Sequence, residues 1–410
     1  MGVYEGLGID PNKSTVREIF GAIVKSDFPG AFVNIRIDSQ DPNRVSTLHA
    51  DGDGSKLIQR LLHARVTGDF SIMGGTADDG LSMNTGDVAA AGFVDELEFC
   101  DVININGKNV PKQEVLRWIA RRLVELVDLY NRYGFHLTFM GGETADLPDQ
   151  TASAVFDVTV RATALRQDII IGNVQPGDLI YGFRSDGQAI WEPKPNSGMM
   201  SNGVTMGRMC LMHKRYNRQF PYLVRHNGKP EGVIRQIAQY FGLIKSPVPQ
   251  YSGRFLVTDA PPCLGGMTVS EAILSPTRQW AILIKLLIDR LKAKGLLGKL
   301  HGISMNTGGG ASKIGHVGRG IRYVKNMPTP PPIFQLIQEE AGESWPKMFV
   351  ATNCGFGLDV VCEDDPEVTA EIDAVSAATN VGLYQLGVCE ASDTEQNQVV
   401  LQTPYGTFNV

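Results

Sequence analysis

Residues 112–142 read KQEVLRWIARRLVELVDLYNRYGFHLTFMGG and join a helical pattern directly to a strand pattern. Apolar residues recur at three- and four-residue steps, which predicts an amphipathic helix over Lys112–Tyr133. Gly134 ends that helix, and Phe135–Met140 (FHLTFM) predicts a short strand that runs into two glycines. A helix followed at once by a strand indicates a mixed chain, of the α/β or α+β class.

The same mixture of patterns continues along the whole chain. Ala31–Ile37 (AFVNIRI) and Ala154–Ala164 alternate as half-buried strands do. The other predicted elements are a strand over Leu179–Phe183, helices over Arg278–Lys294 and Ile333–Glu340, and closing strands within Val388–Gln402. A chain of 410 residues is long for one core. Because Asn, Pro and Gly gather at Gly172–Asp178, we expect two domains, 1–170 and 171–410.

Composition narrows the class of protein. Apolar residues make up 43% and charged residues 20%, as in ordinary globular proteins. A net charge of −6 argues against a general nucleic-acid binder, which usually carries a basic face. The six cysteines show no C-x-x-C or zinc spacing, so we expect reduced thiols. The beginning of the chain shows no signal-peptide pattern and no run of 18 apolar residues occurs, so we expect a cytoplasmic protein without a membrane partner.

The segment His49–Lys56 (HADGDGSK) is the first candidate for chemistry. Its glycines allow a tight turn, Asp51 and Asp53 are suited to Mg²⁺, and Lys56 is suited to neutralising a phosphate. A calcium loop is the rival functional interpretation, but it requires Gly where Lys56 stands and Glu where Leu62 stands. A plain polar turn between secondary-structure elements is the alternative without function.

Two further acidic segments follow. Residues 77–95 read ADDGLSMNTGDVAAAGFVD and place Asp78, Asp79 and Asp87 among small residues, either as a metal–nucleotide wall or as a solvated acidic turn and helix. Residues 140–148 (MGGETADLP) bring Glu143 to the end of a predicted strand, where ligand sites cluster in α/β folds. Neither a P-loop nor a dinucleotide-binding glycine motif in its strand–turn–helix context is present, so any ATP site has another design.

The second half carries two Gly-rich loops. Ser201-Asn202-Gly203 is suited to opening a helix, as an anion site or as a simple N-cap. Thr307–Gly310 (TGGG) is a second candidate phosphate cradle, although three glycines are not specific. We interpret five histidines as structural: His63, His136, His213, His226 and His301.

Taken in order, these blocks resemble aminoimidazole ribonucleotide (AIR) synthase, the phosphoribosylformylglycinamidine cyclo-ligase family. The blocks that carry the resemblance, from about Gly8 to Gln402, are HADGDGSK, ADDGLSMNTGDVAAAGFVD, GGETAD, SDGQ with SNG, LSPTR, NTGGGASKI, TNCGFG and EASD. Any one block is weak, whereas their shared order is specific. The long stretch before Ser-Asn-Gly resembles the branch of the family with an expanded loop there.

The resemblance implies two α/β domains, with the N-terminal domains of two subunits pairing into a shared β-barrel and ATP near that interface. It implies a homodimer, ATP and Mg²⁺ as cofactors, and a small ribonucleotide as substrate. The residues that it places at the Mg-ATP site are Asp51, Lys56, Asp79, Asp87, Gly141, Gly142, Glu143 and Thr144. Among these, Asp51, Lys56 and Glu143 are the expected catalytic residues, and Asp51, Asp87 and Glu143 are the expected metal ligands. It places Ser201, Asn202, Gly203, Gly308 and Gly309 near the ribonucleotide.

Departures from the family pattern leave alternatives open. Gly86 replaces the usual Asn, Phe93 and Asp95 replace Ala and Pro, and Met200 replaces a common His before Ser-Asn-Gly. These changes favour, as a rival, a non-catalytic nucleotide-binding paralogue. Other rivals within the superfamily are formylglycinamidine ribonucleotide synthetase, selenophosphate synthetase and thiamine-phosphate kinase. No catalytic triad is required for an intramolecular cyclisation, because orientation and charge neutralisation supply most of the catalysis.

Overall fold

The computed structural model describes residues 19–21, 23–220, 223 and 251–410. Its first sheet has the strand order β1-β2-β5-β3-β4. These strands are β1 Arg36–Ile37, β2 Arg44–Gly52, β3 Glu96–Ile105, β4 His136–Asp146 and β5 Ala154–Leu165. β5 pairs antiparallel with both β2 and β3, and β4 pairs parallel with β3. We call residues 36–165 the N-terminal lobe.

Three helices lie in this lobe: α1 Lys56–Thr67, α2 Gly75–Ala90 and α3 Lys112–Arg132. α2 packs on β2 and β5, and nearly all of its residues are buried. α3 buries one stripe, which includes Val115, Ile119 and Leu126. The predicted helix over Lys112–Tyr133 is therefore confirmed to within one residue, and Gly134 follows it with a φ of 82°.

The opposite face of the first sheet carries no helix in the described part of the lobe, and we call it the outer face. Along β5, Phe156 and Val158 point to the helices and are 0% exposed, whereas Val155 is 42% exposed. Leu48 and Val102 also lie on the outer face and are 71% and 39% exposed. The sheet thus presents apolar side chains where an antiparallel sheet that faces water usually carries polar ones.

The second sheet has the order β14-β13-β10-β12-β6-β11-β9 and belongs to what we call the C-terminal lobe, residues 179–410. Its strands are β6 Leu179–Arg184, β9 Leu300–Met305, β10 Ile321–Asn326, β11 Phe356–Cys362, β12 Leu383–Ala391, β13 Gln398–Thr403 and β14 Gly406–Asn409. A small hairpin sheet, β7 Asp186–Gly187 and β8 Asn196–Ser197, encloses the expanded loop. The helices among the described residues of this lobe are α4 Val204–Leu211, α5 Tyr216–Gln219, α6 Val269–Ile273, α7 Trp280–Ala293, α8 Pro332–Ala341, α9 Trp345–Ala351 and α10 Pro366–Thr379.

The mixed α/β class is confirmed, and one predicted strand is wrong. In the segment Ala31–Ile37 only Arg36 and Ile37 form a strand, although Ala31, Val33 and Ile35 are buried in alternation. The backbone instead turns back on itself: the Asp27 N–H donates to the Ile35 carbonyl at 2.8 Å. Alternating burial therefore arises here without a ladder of strand hydrogen bonds.

Each sheet takes its strands from one side of residue 170, since β5 ends at Leu165 and β6 begins at Leu179. The division into domains 1–170 and 171–410 remains a prediction. Across the described residues, no helix is long and apolar enough to cross a membrane.

Candidate functional site

The first motif forms the end of β2, a turn and the start of α1. His49 and Asp51 alternate with outward residues on β2, so both point toward α2. The His49 Nδ1 lies 2.9 Å from Asn84 Oδ1, and its Nε2 lies 3.4 Å from Asp87 Oδ2. Because the Asn84 amide donates to the Asp51 and Gly80 carbonyls, its oxygen faces His49, which must then carry a proton on Nδ1.

Among the three acids of α2, Asp87 is the one that keeps a carboxylate oxygen without a partner in the described structure. Its side chain is 5% exposed, yet its Oδ1 has no hydrogen-bond partner among the described residues. Burial lowers the pKa of His49, but the hydrogen bond and charge of Asp87 outweigh that effect and raise it. A buried carboxylate oxygen without a donor is costly, so this position suits a cation.

Lys56 and Asp79 are engaged with each other instead. Both side chains are 0% exposed, and the Lys56 ammonium donates to Asp79 Oδ1 at 3.0 Å. Asp79 also accepts from the backbone N–H and hydroxyl of Thr277 and from Arg60. Burial raises the pKa of Asp79, but the charges of Lys56 and Arg60 outweigh it and lower that pKa. Asp79 is therefore an ionised carboxylate whose two oxygens are both used inside the protein.

The Gly-Gly-Glu-Thr motif lies on β4 at a β-bulge. The register with β3 shifts between Phe99 and Asp101, and Gly141 adopts a φ of 94° there. A side chain at Gly142 would stand 1.7 Å from Asp101 Oδ1, so only glycine fits. Bulges often redirect a strand beside a functional site.

This arrangement does not bring Glu143 to the other two predicted metal ligands. Glu143 pairs with Val102 and so points to the outer face, whereas the next residue, Thr144, pairs with Ile103 and points to the helical face. Asp51 points to the helical face of β2, and β2 and β4 are three strand spacings apart, about 14 Å. Within the described residues of one chain, no group of three or more His, Cys, Asp or Glu side chains could hold a metal ion.

The two Gly-rich loops of the C-terminal lobe do meet, and Thr352 lies between them. Gly203 has a φ of 82° and caps α4, and a side chain on it would stand 2.5 Å from Thr352 Cγ2. A side chain on Gly310 would stand 2.2 Å from the Thr352 carbonyl. The predicted helix start after Ser201-Asn202-Gly203 is confirmed, and Gly308 and Gly309 lie in the turn before a short 3₁₀ helix, Gly310–His316.

The N-terminal motifs approach these same loops. The Ser55 hydroxyl lies 2.5 Å from the Thr205 hydroxyl, and a side chain at Gly54 would reach the Ser201 carbonyl at 3.9 Å. On α2, Gly86 faces the Met305 side chain at the end of β9. The segments that flank Asp51, Asp87, Asn202 and Gly309 therefore converge between the two lobes.

Unpartnered buried polar atoms mark the same region. In the described part of the chain they include Asp87 Oδ1, both polar atoms of Asn202, Ser304 Oγ, Asn306 Oδ1 and Asn353 Oδ1. Each of these residues lies in or beside one of the motif segments. Buried polar groups are normally paired, so these atoms are candidates for contact with a polar ligand.

Sequence reasoning missed two groups in this region. Strand periodicity could have placed His49 at the site, because His49 stands two residues before Asp51 and must point to the same face of the strand. Asn353 was not: its amide reaches Ser185 Oγ at 2.7 Å and the Gly198 carbonyl at 3.1 Å, contacts between residues more than 150 positions apart. Met200 is 1% exposed and brings no polar group to the position where the family resemblance leads to the expectation of His.

Three of the histidines interpreted as structural have side-chain hydrogen-bond partners in the structure. His63 lies 3.0 Å from the Ser270 hydroxyl, and His301 lies 2.8 Å from Asp178. The His213 ring accepts from the Arg215 N–H at 3.0 Å, while His136 lies exposed at the start of β4. His226 lies outside the described residues, as does Gly8, where the family resemblance begins.

Relatives found by sequence bear the name of the family that the motif order indicates. No protein-family model matches the chain. A phosphoribosylformylglycinamidine cyclo-ligase of Limosilactobacillus reuteri is 25% identical over 423 residues, which span 98% of this chain and 100% of that protein. The enzyme of the same name from Methanocaldococcus jannaschii is 25% identical over 356 residues, spanning 86% of this chain and 81% of that protein.

Among solved structures, AaThiL complexed with AMPPCP and TMP superposes with a TM-score of 0.50 and 10% sequence identity. The match covers 95% of this chain and 93% of that one, and at this identity it concerns the fold alone. The comparisons confirm the resemblance to AIR synthases that the motifs indicate, and the chain has the AIR-synthase-like fold.

Proposed function

We propose that this protein closes the imidazole ring of AIR at the expense of ATP. ATP phosphorylates the formamide oxygen of formylglycinamidine ribonucleotide, which breaks the bond to the γ-phosphorus and releases ADP. The amidine nitrogen of the same molecule then attacks the formyl carbon, and the carbon–oxygen bond breaks as phosphate leaves. Loss of a proton completes the aromatic ring. Since both reacting groups belong to one molecule, the protein needs to orient them and neutralise charge.

The observation that carries this proposal is the convergence of the motif segments around unpartnered polar atoms. Asn202 presents a donor and an acceptor that are buried and unused, at the start of α4. The N-terminus of a helix favours anions through its free N–H groups. We assign the Asn202 loop and the turn around Gly309 to the ribonucleotide, because Thr352 joins them into one surface.

We assign Asp51 and Asp87 to Mg²⁺, which would neutralise the phosphates of ATP. Asp51 points from β2 toward α2, and Asp87 lies on α2. The unpartnered Oδ1 of Asp87 is the kind of oxygen that binds Mg²⁺. His49 holds the second oxygen of Asp87 and so fixes the direction of the first. Gly141 and Gly142 lie on a bulged strand that allows a close approach to the backbone.

We further propose that the functional protein is a homodimer joined through the outer face of the first sheet. Leu48, Val102 and Val155 are exposed there, and burying them against a second copy would remove apolar surface from water. Glu143 lies on the same face, and it would then reach the site from a neighbouring copy. This assignment keeps Glu143 as a metal ligand although its own chain holds it away from Asp51.

The test is a coupled assay with purified protein, ATP, Mg²⁺ and formylglycinamidine ribonucleotide, in which AIR is detected by diazo coupling and ADP is counted. AIR formed in step with ADP supports the proposal, and Asn202→Ala should then lower kcat/KM for the ribonucleotide. Thiamine monophosphate serves as the control substrate. Nucleotide binding without AIR would refute the cyclo-ligase assignment and favour a kinase or a non-catalytic paralogue.

A further inference from the structure

The Leu274–Arg278 segment (LSPTR) supports the family resemblance but has no role in the chemistry above. In the structure it forms the turn before α7 and contacts both lobes. Its contacts centre on the buried ammonium of Lys56. A lysine in that position contacts phosphate only if its ammonium has a donor to spare.

The hydrogen-bonding capacity of Lys56 is fully used inside the protein. Its ammonium has three N–H donors. These meet three acceptors: Asp79 Oδ1 at 3.0 Å, the Met199 carbonyl at 3.2 Å and the Ser275 carbonyl at 2.5 Å. The side chain is 0% exposed. A phosphate contact would therefore require the loss of one of these bonds and the opening of the surrounding core.

Asp79 belongs to a buried cluster of acidic and basic side chains around this ammonium. Its Oδ1 accepts from the Thr277 N–H at 2.7 Å and from the Thr277 hydroxyl at 2.6 Å, and its Oδ2 accepts from Arg60. Arg60 also donates to Asp53 at 2.9 Å. Two cations and two carboxyl groups thus lie together, each at most 1% exposed, and burial raises the pKa of Asp53 to about 8. Such an arrangement is stable only while every partner is in place.

The turn at Ser275–Thr277 also holds the segment that leads to the Asn202 loop. The Ser197 N–H donates to Ser275 Oγ at 3.0 Å, and the Asn196 amide donates to the Pro276 carbonyl at 2.7 Å. With the Met199 carbonyl bound to Lys56, residues 196–199 are fixed at three points. Two residues later the chain reaches Ser201, whose hydroxyl lies 3.3 Å from that of Thr277.

We propose that Lys56, Asp79 and Thr277 are positioning residues that fix the Ser201–Gly203 loop relative to α2, and that Lys56 does not bind phosphate. α2 carries Asp79 in its first half and Asp87 two turns later. One rigid helix therefore fixes the positions of both Asp79 and the proposed metal ligand Asp87. The cluster therefore sets the distance between the ribonucleotide loop and the nucleotide site. This inference rests on the proposed function for its kinetic consequence but not for its structural one.

The experiment compares Thr277→Val with Thr277→Ser, because valine removes the hydroxyl bond to Asp79 and serine retains it. Hydrogen–deuterium exchange of residues 196–203 is measured first, since it needs no substrate. We expect faster exchange in Thr277→Val, a KM for formylglycinamidine ribonucleotide raised about tenfold, and an affinity for Mg-ATP within about twofold of the native value. Thr277→Ser should behave as the native protein.

Lys56→Met is the stronger variant, and Lys285→Met is its control. Lys285 is also nearly buried, and its ammonium also joins the two lobes, through Asp95 at 2.8 Å. It does not contact residues 196–199. Lys285→Met should leave exchange at 196–203 unchanged, whereas Lys56→Met should increase it. Should Lys56→Met fail to fold, the Thr277 pair decides.

Two results would overturn the inference. One is unchanged exchange at 196–203 in Thr277→Val. The other is a loss of Mg-ATP affinity of more than about tenfold in a folded Lys56→Met whose exchange at 196–203 is native, since that would assign Lys56 to phosphate. If the native protein forms no AIR, the proposed function fails. Faster exchange of residues 196–203 in Thr277→Val would still support the positioning role of Lys56, Asp79 and Thr277.

Discussion

The buried pair Lys325–Asp359 predicts an unequal response to single and double substitution. Both side chains are 0% exposed, and Nζ lies 2.5 Å from Asp359 Oδ2 and 3.1 Å from the Ala311 carbonyl just after the Gly-rich turn. Lys325→Met would leave a carboxylate buried without its cation. Breaking such a pair costs about 3–5 kcal/mol. In a lobe of this size that corresponds to a melting temperature lower by roughly 6–20 °C.

Removing both charges should cost far less. Burial already raises the pKa of Asp359, with Lys325 acting against it, so much of the pair's attraction offsets lost hydration. We expect the double variant Lys325→Met/Asp359→Leu to unfold within about 1 kcal/mol of the native protein. The assay is a double-mutant cycle measured by calorimetric melting.

A control ion pair starts from the same strand as Lys325. Arg322 on β10 and Glu390 on β12 also form an ion pair, at 3.2 Å, but their side chains are 44% and 47% exposed. Arg322→Met should cost less than about 1 kcal/mol. The reasoning is refuted if Lys325→Met costs no more than Arg322→Met, or if the double variant loses at least the sum of the two single losses.

Three further predictions concern the site, the interface and pH. Asp87→Asn should weaken Mg²⁺-dependent ATP binding by about tenfold or more, as measured by calorimetry, and native affinity would remove Asp87 from the metal site. Leu48→Asp should shift the sedimentation of the protein from dimer to monomer; a native protein that sediments as a monomer at micromolar concentration would contradict the dimer. The hydrogen bond that His301 donates to the Asp178 carboxylate raises the pKa of His301 above 6.5, so its stabilisation is complete below about pH 6.5 and is lost as pH rises through the higher, folded-state pKa. His301→Gln should flatten this dependence in melts from pH 6 to 9, and an unchanged profile would assign the dependence to other groups.

The elements with a clear period could be predicted from the sequence. The stripe of α3 is amphipathic because one of its faces meets the sheet, so its pattern and its length agree with the structure. Asp78, Asp79 and Asp87 stand out in the sequence as acids among small residues, and α2 buries all three of them. The sequence could not separate their roles, because what distinguishes Asp79 from Asp87 is Thr277, almost 200 residues away.

Long-range contacts also explain what local patterns left open at Lys56 and Glu143. A lysine after a Gly-rich turn suits phosphate by its local sequence, and only residues 199 and 275 reveal that its donors are already used. For Glu143 the decisive feature is the bulge at Gly141, which fixes the register of the strand and thereby the face that the side chain takes. The strand predicted over Ala31–Ile37 was wrong because the alternation of apolar and polar residues there reflects burial alone. It does not require the hydrogen bonds of a strand.

The cluster around Lys56 also constrains how the chain is made. Two acceptors of the Lys56 ammonium are synthesised long after it: the Met199 carbonyl 143 residues later and the Ser275 carbonyl 219 residues later. At about 5–20 residues per second, the ribosome needs roughly 10–45 s to deliver the second one. During that time the nascent N-terminal lobe holds a lysine that cannot be desolvated without cost. Ribosome-bound chains that end before Ser275 should therefore be cleaved by protease within the N-terminal lobe, and chains that extend well past α7 should resist it.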